Sequence, residues 1–196
     1  MDLQTISRTE TGCTTLAKLK ANLRIRHTSE DELLQDFLNA AEEQFEADTN
    51  RSILPTQFKL GISRIIPTFQ LPRPQFLSFE SLKYTPYGGT EVTVDTSAYE
   101  VRYVEMLPTF TIPDLLEQAG EMEIIYNSGW QNADAVPERV KRAIYMLATH
   151  WATSGRTAVH MDKRIMDVEK ISPLAYQTLV ARLRVPNADG GLNGGY

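Results

Sequence analysis

The spacing of apolar residues changes twice along this chain of 196 residues. Apolar residues recur at helical spacing in residues 16–49, alternate at strand spacing in residues 58–126, and return to helical spacing in residues 140–183. A run of strands with hairpin-like spacing between two helical segments favours an α+β fold over alternating β-α-β units. The pattern therefore predicts a small helical bundle formed by the N- and C-terminal helices, with an inserted antiparallel β-sheet.

The boundaries of these segments predict how the chain is organised. A second helix ends at about Thr49, and prolines at 137 and 173 suit the first turns of two later helices, where no backbone N–H is needed. We expect residues 1–54 and 134–196 to form the helical core, with a flexible C-terminal tail rich in Gly and Asn. We expect residues 55–133 to form the inserted β region, with a bulge near Ser81, where the alternation slips.

Composition limits the class of protein. No run of about 18 apolar residues is present, so we expect no transmembrane helix. The polar first dozen residues lack the apolar stretch of a signal peptide. A single cysteine, Cys13, cannot form an internal disulfide, which is typical of a reducing compartment such as the cytoplasm.

Neither a catalytic site nor a metal site stands out. His150 has no second ligand three or four residues away on its helix, which predicts a structural histidine. His160 lies near Asp162, a pair that can do acid–base work, but no activated nucleophile accompanies it. We expect no cofactor, no metal and no catalytic residue. A small hydrolase that uses His150 or His160 is the enzymatic alternative.

Charge is distributed unevenly along the chain. Residues 1–50 carry five basic and ten acidic side chains, whereas residues 137–185 carry nine basic and four acidic ones. No Lys or Arg interrupts the eight acids of residues 27–50. This is unusual, because mixed charges stabilise an exposed helix. The acidic balance and the lack of a basic run interleaved with aromatics argue against a DNA-binding regulator.

Two explanations of the acidic helix remain open. Its acids are either a solvated face or a surface that meets a basic partner or avoids nucleic acid. The candidate acidic face consists of Glu32, Asp36, Glu42, Glu43 and Glu46. A basic patch on a neighbouring copy, with a solvated face as its alternative, consists of Arg139, Lys141 and Arg142.

Several segments resemble the head–tail connector family of tailed phages, whose members are also called adaptor or head-completion proteins. The matching segments occur in order across residues 14–155. They are LAKLKANLRI, DELLQDFLNAAEEQFEADTNRSIL, LPRPQFLSFESLKY, VTVDTSAYEV, MEIIYNSGW and VPERVKRAIYMLATHW. The similarity fades after residue 155.

The resemblance implies a structural virion protein without catalytic residues or a cofactor. Such a protein forms a ring of about twelve copies beneath the portal, extends the DNA channel and joins the filled head to the stopper or tail-completion protein. It is made in the cytoplasm of the host bacterium, and genomic DNA passes it without sequence-specific binding. A tail-completion or stopper protein is the alternative within the same assembly. We also expect the C-terminal tail to dock on the portal, through Val185, Pro186, Leu192 and Tyr196.

Overall fold

In the computed structural model, the described residues are 2–9, 12–63, 68–95, 100–104, 107–111, 119–157 and 173–185. They contain four helices and two antiparallel sheets, which confirms the predicted α+β class. The helices are α1 (Leu16–Leu23), α2 (Asp31–Thr49), α3 (Glu138–Thr157) and α4 (Leu174–Leu183). The strands are β1 (Asp2–Arg8), β2 (Thr56–Ile62), β3 (Thr68–Gln70), β4 (Phe76–Pro86), β5 (Val92–Thr93), β6 (Glu100–Val104), β7 (Leu107–Thr111) and β8 (Ala119–Ser128).

The chain divides into two compact units. The sheet unit consists of Met1–Glu10, Asn50–Gln131 and Val185–Tyr196, and the helical unit consists of Thr11–Thr49 and Asn132–Arg184. None of the helices in the described part of the chain is long and apolar enough to cross a membrane.

The sheet unit contains a five-stranded sheet in the order β1-β2-β8-β4-β5 and a three-stranded sheet in the order β3-β7-β6. Strand β2 buries alternate residues, as its sequence predicts, and pairs with β8 with Leu60 opposite Ile124. The predicted bulge is confirmed, because the register of β4 against β8 shifts between Phe79 and Ser81. The alternation of the apolar residues thus places them on the inner face of the sheet.

Strand β1 was not predicted from the sequence. Residues 1–54 were expected to belong to the helical part, but β1 pairs antiparallel with β2, with Leu3 opposite Leu60. The register shifts between Thr5 and Ser7, so Leu3 and Ile6 do not show the two-residue period of a regular strand. An irregular, mostly polar edge strand leaves little periodic signal in its sequence.

The interior of the sheet unit is aromatic and apolar. The ring of Phe110 on β7 lies 4.3 Å from that of Phe79 on β4 and 5.5 Å from that of Phe69 on β3. Side chains from the two sheets therefore form one core. Gly129 follows β8 with a φ of 128°, and a Cβ at this position would lie 2.3 Å from the carbonyl oxygen of Leu54. Only glycine fits there without a backbone shift.

The helical unit buries the apolar stripes that helical spacing predicts. On α2, Leu34, Leu38, Ala41 and Phe45 are buried, and on α3, Val140, Ile144 and Leu147 are buried. Trp151, which continues the helical spacing of Val140, Ile144 and Leu147, is half-buried. Helix α4 contributes Tyr176, Val180 and Leu183 to the core. These stripes leave the opposite face of α2 exposed to solvent.

Candidate functional site

The exposed face of α2 carries three of the five predicted acids. Glu32, Asp36 and Glu43 are exposed, and they form no ion pair with any other residue that the structure describes. They lie four and seven residues apart, so they point to one side of the helix. Glu46 is half-buried. The exposed acids therefore form a row, which we call the acidic row (Glu32, Asp36 and Glu43).

Glu42 does not belong to this surface. Its side chain is buried, and its Oε1 accepts hydrogen bonds from the Cys13 N–H at 3.0 Å, the Thr14 N–H at 3.1 Å and the Thr14 hydroxyl at 2.7 Å. The sequence indicates that Glu42 is buried. It follows Leu38 by four residues and precedes Phe45 by three, which places it on the inner stripe of the helix. Glu42 thus anchors the chain that enters α1.

The same part of the chain is held by a second hydrogen bond. The N–H of Thr15 donates to the Tyr145 hydroxyl at 2.7 Å, although Thr15, the N-cap of α1, makes no capping bond with its own side chain. Backbone N–H groups at the start of a helix have no partner within the helix and need one elsewhere. The entry to α1 is therefore tied by side-chain hydrogen bonds to both α2 and α3.

Cys13 shows none of the properties of a reactive thiol. It is buried, and burial together with the nearby Glu42 raises the pKa of its thiol far above the usual range. A thiol that stays protonated is a poor nucleophile. Among the described residues, no three His, Cys, Asp or Glu side chains form a group that could hold a metal ion.

The three predicted basic residues lie in the first turns of α3 and differ in exposure. Arg139 and Arg142 are exposed and form no ion pair within the described ranges. The Lys141 side chain is only 14% exposed, and its Nζ lies 3.5 Å from Oε1 of Glu138. Arg139 and Arg142 are thus the cations that remain available at this surface.

These two arginines border a groove between α1, α3 and α4. The groove has a volume of about 1170 Å³ and a mostly apolar lining that includes Tyr145, Met146 and Leu179. Lys18 on α1 also borders it, with Nζ 5.2 Å from the centre of the Tyr145 ring. We call this feature the basic-edged groove. Sequence did not predict it, because it is assembled from three helices that are far apart along the chain.

His150 lies at the same groove and not in an isolated site. It is half-buried on α3, which continues past it to Thr157. His160 and Asp162 lie outside the described residues, so their pairing stays a prediction. Among the described residues, His150 belongs to no group of three His, Cys, Asp or Glu side chains that could hold a metal ion.

The predicted docking tail is described only at its first residue. Val185 is fully buried, and its carbonyl oxygen accepts a hydrogen bond from the Asn50 side-chain N–H at 2.9 Å. Pro186, Leu192 and Tyr196 lie outside the described residues. Any docking segment therefore begins after Val185, because that side chain is already packed within the sheet unit.

Comparison with known families shows what this arrangement is similar to. Residues 13–73 match the model of the phage gp6-like head-tail connector protein family. The resemblance to head–tail connectors is confirmed. The matched segment includes the buried Glu42 anchor and the acidic row. The connectors of that family are structural phage proteins and not a class of enzymes.

Solved structures share the fold over nearly the whole chain. One is a chain in the neck of an empty gene transfer agent (GTA) particle computed with C6 symmetry, with 18% identity and a TM-score of 0.70. Another belongs to the virion of a native GTA particle, with 19% identity and a TM-score of 0.72. A third is in the neck of a native GTA particle computed with C12 symmetry, with 18% identity and a TM-score of 0.68.

Each of these matches covers 95% of this chain and 97% of the other. At this level of identity, the likeness shows the fold and leaves the function to other evidence. No curated protein matches the chain in sequence.

Proposed function

We propose that this chain is a structural subunit of the virion neck, a head–tail connector that forms a ring beneath the portal. The observation that carries the proposal is the connector family match over residues 13–73 together with a fold shared with neck chains of GTA particles over 95% of the sequence. The ring holds about twelve copies, in keeping with the C12 symmetry of one matched neck. It joins the filled head to the stopper or tail-completion protein.

The surface charges suit a ring. Closing a ring requires a heterologous interface, in which one patch of a subunit meets a different patch of the next. The acidic row and the basic-edged groove are two such patches, located on different helices of the helical unit. The acidic row faces either the seam between copies or the DNA channel.

An acidic surface also suits a conduit for DNA. Lys or Arg side chains in the channel would bind phosphates and slow the passage of the genome, whereas carboxylates do not. DNA passes through the ring without sequence-specific contacts. The protein is made in the host cytoplasm and ends at the head–tail interface of the particle. Its chemistry is limited to binding.

Mass measurement with the portal tests this proposal. Native mass spectrometry of the full chain mixed with purified portal should show a complex that contains the portal ring and about twelve copies of this chain. A mixture in which portal and chain keep their separate masses at every ratio would contradict the proposal.

We further propose that the segment after Val185 docks on the portal. Gly- and Asn-rich segments become ordered when a partner holds them. Deleting residues 186–196 should weaken portal binding and leave the fold intact, because the buried Val185 is retained in the sheet unit. Undiminished portal binding by the truncated chain would reject the docking role.

A further inference from the structure

The exposed side of α2 carries an apolar row next to the acidic row. Leu33 is 46% exposed, and Ala40 and Ala47, which follow it at intervals of seven residues, are exposed as well. Residues seven apart lie on one side of a helix. The surface thus presents an apolar strip, the Leu33 strip (Leu33, Ala40 and Ala47), bordered by carboxylates.

The basic-edged groove has the complementary pattern. Its lining is mostly apolar, with Tyr145, Met146 and Leu179, and Arg139 and Arg142 stand at its edge. Among the described residues that line it, Glu138 is the one acid, and it lies 3.5 Å from Lys18 and 3.5 Å from Lys141. The carboxylate of Glu138 therefore pairs with Lys18 and Lys141. Arg139 and Arg142 can then pair with the carboxylates of a partner.

We propose that the Leu33 strip and acidic row of one copy seat in the basic-edged groove of the next copy, so that Leu33 enters the groove and Glu32 and Asp36 meet Arg139 and Arg142. The inference rests on the proposed ring and places the acidic row at the seam between copies. A strip that is apolar in its middle and acidic at its border fits a groove that is apolar inside and basic at its edge.

The pairing also explains why the two surfaces occur on one chain. The strip lies on α2, and the groove is formed by α1, α3 and α4, so a copy can use both at once with two different neighbours. An interface of this kind is heterologous and closes into a ring when the rotation between copies divides a full turn. The exposed arginines gain carboxylate partners, and Leu33 leaves water.

A photocrosslinking experiment locates the contact. Leu33 is replaced by p-benzoylphenylalanine in the full chain, and labelled and unlabelled copies are mixed so that links between copies are recognised by mass. We expect Leu33 crosslinks between copies at Met146, Leu179 or their neighbours in the groove. Leu77, which is 40% exposed in the sheet unit, is the matched control position and should not label the groove.

Charge reversal tests the pairing itself. Glu32→Arg with Asp36→Arg, or Arg139→Glu with Arg142→Glu, should each weaken association between copies about 100-fold or more, because like charges then face one another. All four substitutions combined in one chain restore opposite charges across the seam. The combined variant should associate within about tenfold of the unchanged chain. Circular dichroism of each variant checks that these exposed positions leave the fold intact.

Three results would overturn the inference. They are crosslinks from Leu33 only to other surfaces, a failure of the combined variant to regain association, and an unchanged chain that stays monomeric with or without portal. The failures can be told apart from those of the proposed function. A chain that forms a ring with the portal regardless of these reversals remains a connector but uses another seam.

Discussion

The sheet unit and the helical unit both have apolar cores, but they differ in their aromatic contacts and in their charged surfaces. In the sheet unit, aromatic rings such as Phe79 and Phe110 pack against one another across the two sheets. In the helical unit, a buried carboxylate, Glu42, and the Tyr145 hydroxyl hold the entry to α1. The helical unit also carries the acidic row and the basic-edged groove. Both units thus have apolar cores, and the helical unit in addition carries the two charged surfaces that the proposed ring would use.

Within the helical unit, two acidic residues that look alike in sequence have different roles. Glu42 and Glu43 are neighbours, yet one stabilises the interior and the other belongs to the surface. In an α-helix, which has 3.6 residues per turn, adjacent side chains point about 100° apart. Substitutions at Glu42 and at Glu43 can therefore test stability and assembly separately.

The largest loss of stability is expected in the sheet unit, on substitution of Gly129. The change Gly129→Ala would place a Cβ 2.3 Å from the Leu54 carbonyl oxygen at a φ of 128°, so the backbone must shift. We expect the free energy of unfolding to fall by about 3 kcal/mol or more, as measured by guanidinium denaturation. Gly88→Ala is the control, because it has a φ of 72° but nothing within 4 Å, and it should cost only about 1 kcal/mol. Equal losses at the two sites would show that the contact with Leu54 does not matter.

A smaller effect is expected at the carboxylate anchor of the helical unit. Glu42→Ala leaves the N–H groups of Cys13 and Thr14 without their acceptor, and we expect a loss of about 2–3 kcal/mol. Glu43→Ala, one residue away and exposed, should change stability by less than about 0.5 kcal/mol. Thermal and denaturant unfolding of both variants measure the difference. Similar stabilities would place Glu42 on the surface with Glu43.

The smallest effect is a dependence of stability on pH. Burial raises the pKa of the Cys13 thiol, so the thiol stays protonated in the folded state while the unfolded chain ionises above about pH 8.5. Above that pH the unfolded state binds fewer protons, and the free energy of unfolding falls by up to about 1.4 kcal/mol per pH unit. Cys13→Ala should remove this slope between pH 8.5 and 10, measured by denaturation at each pH. An identical slope in both chains would mean that Cys13 is not the source.

The two units also differ in how far their structure follows from sequence. The inner stripe of α2, with Leu34, Leu38 and Phe45, was predicted because helical spacing alone determines which residues share a face. Strand β2 was predicted because its apolar residues alternate with a period of two, which places them on one face of the sheet. Strands β1 and β3 were not, because β1 is irregular, β3 has only three residues, and both pair with strands that are distant in sequence. Strand β7 was also missed, although it pairs with its neighbour β6, because Pro108 interrupts its sequence.

The candidate site was predictable to a similar extent. The exposed acids Glu32, Asp36 and Glu43 were found from composition, because an unbroken run of acids is visible in one dimension. Arg139 and Arg142 were found in the same way. The groove beside them was not, because its apolar lining combines residues from three helices. The complementarity between two surfaces can be recognised only in the folded chain.

Electron cryomicroscopy of the particle neck tests the central claim, that this chain acts by shape and charge as a connector subunit. We expect a ring of copies of this chain directly beneath the portal, with the acidic row of each copy against the groove of the next. Particles that have complete necks and remain infectious without this chain would contradict that claim.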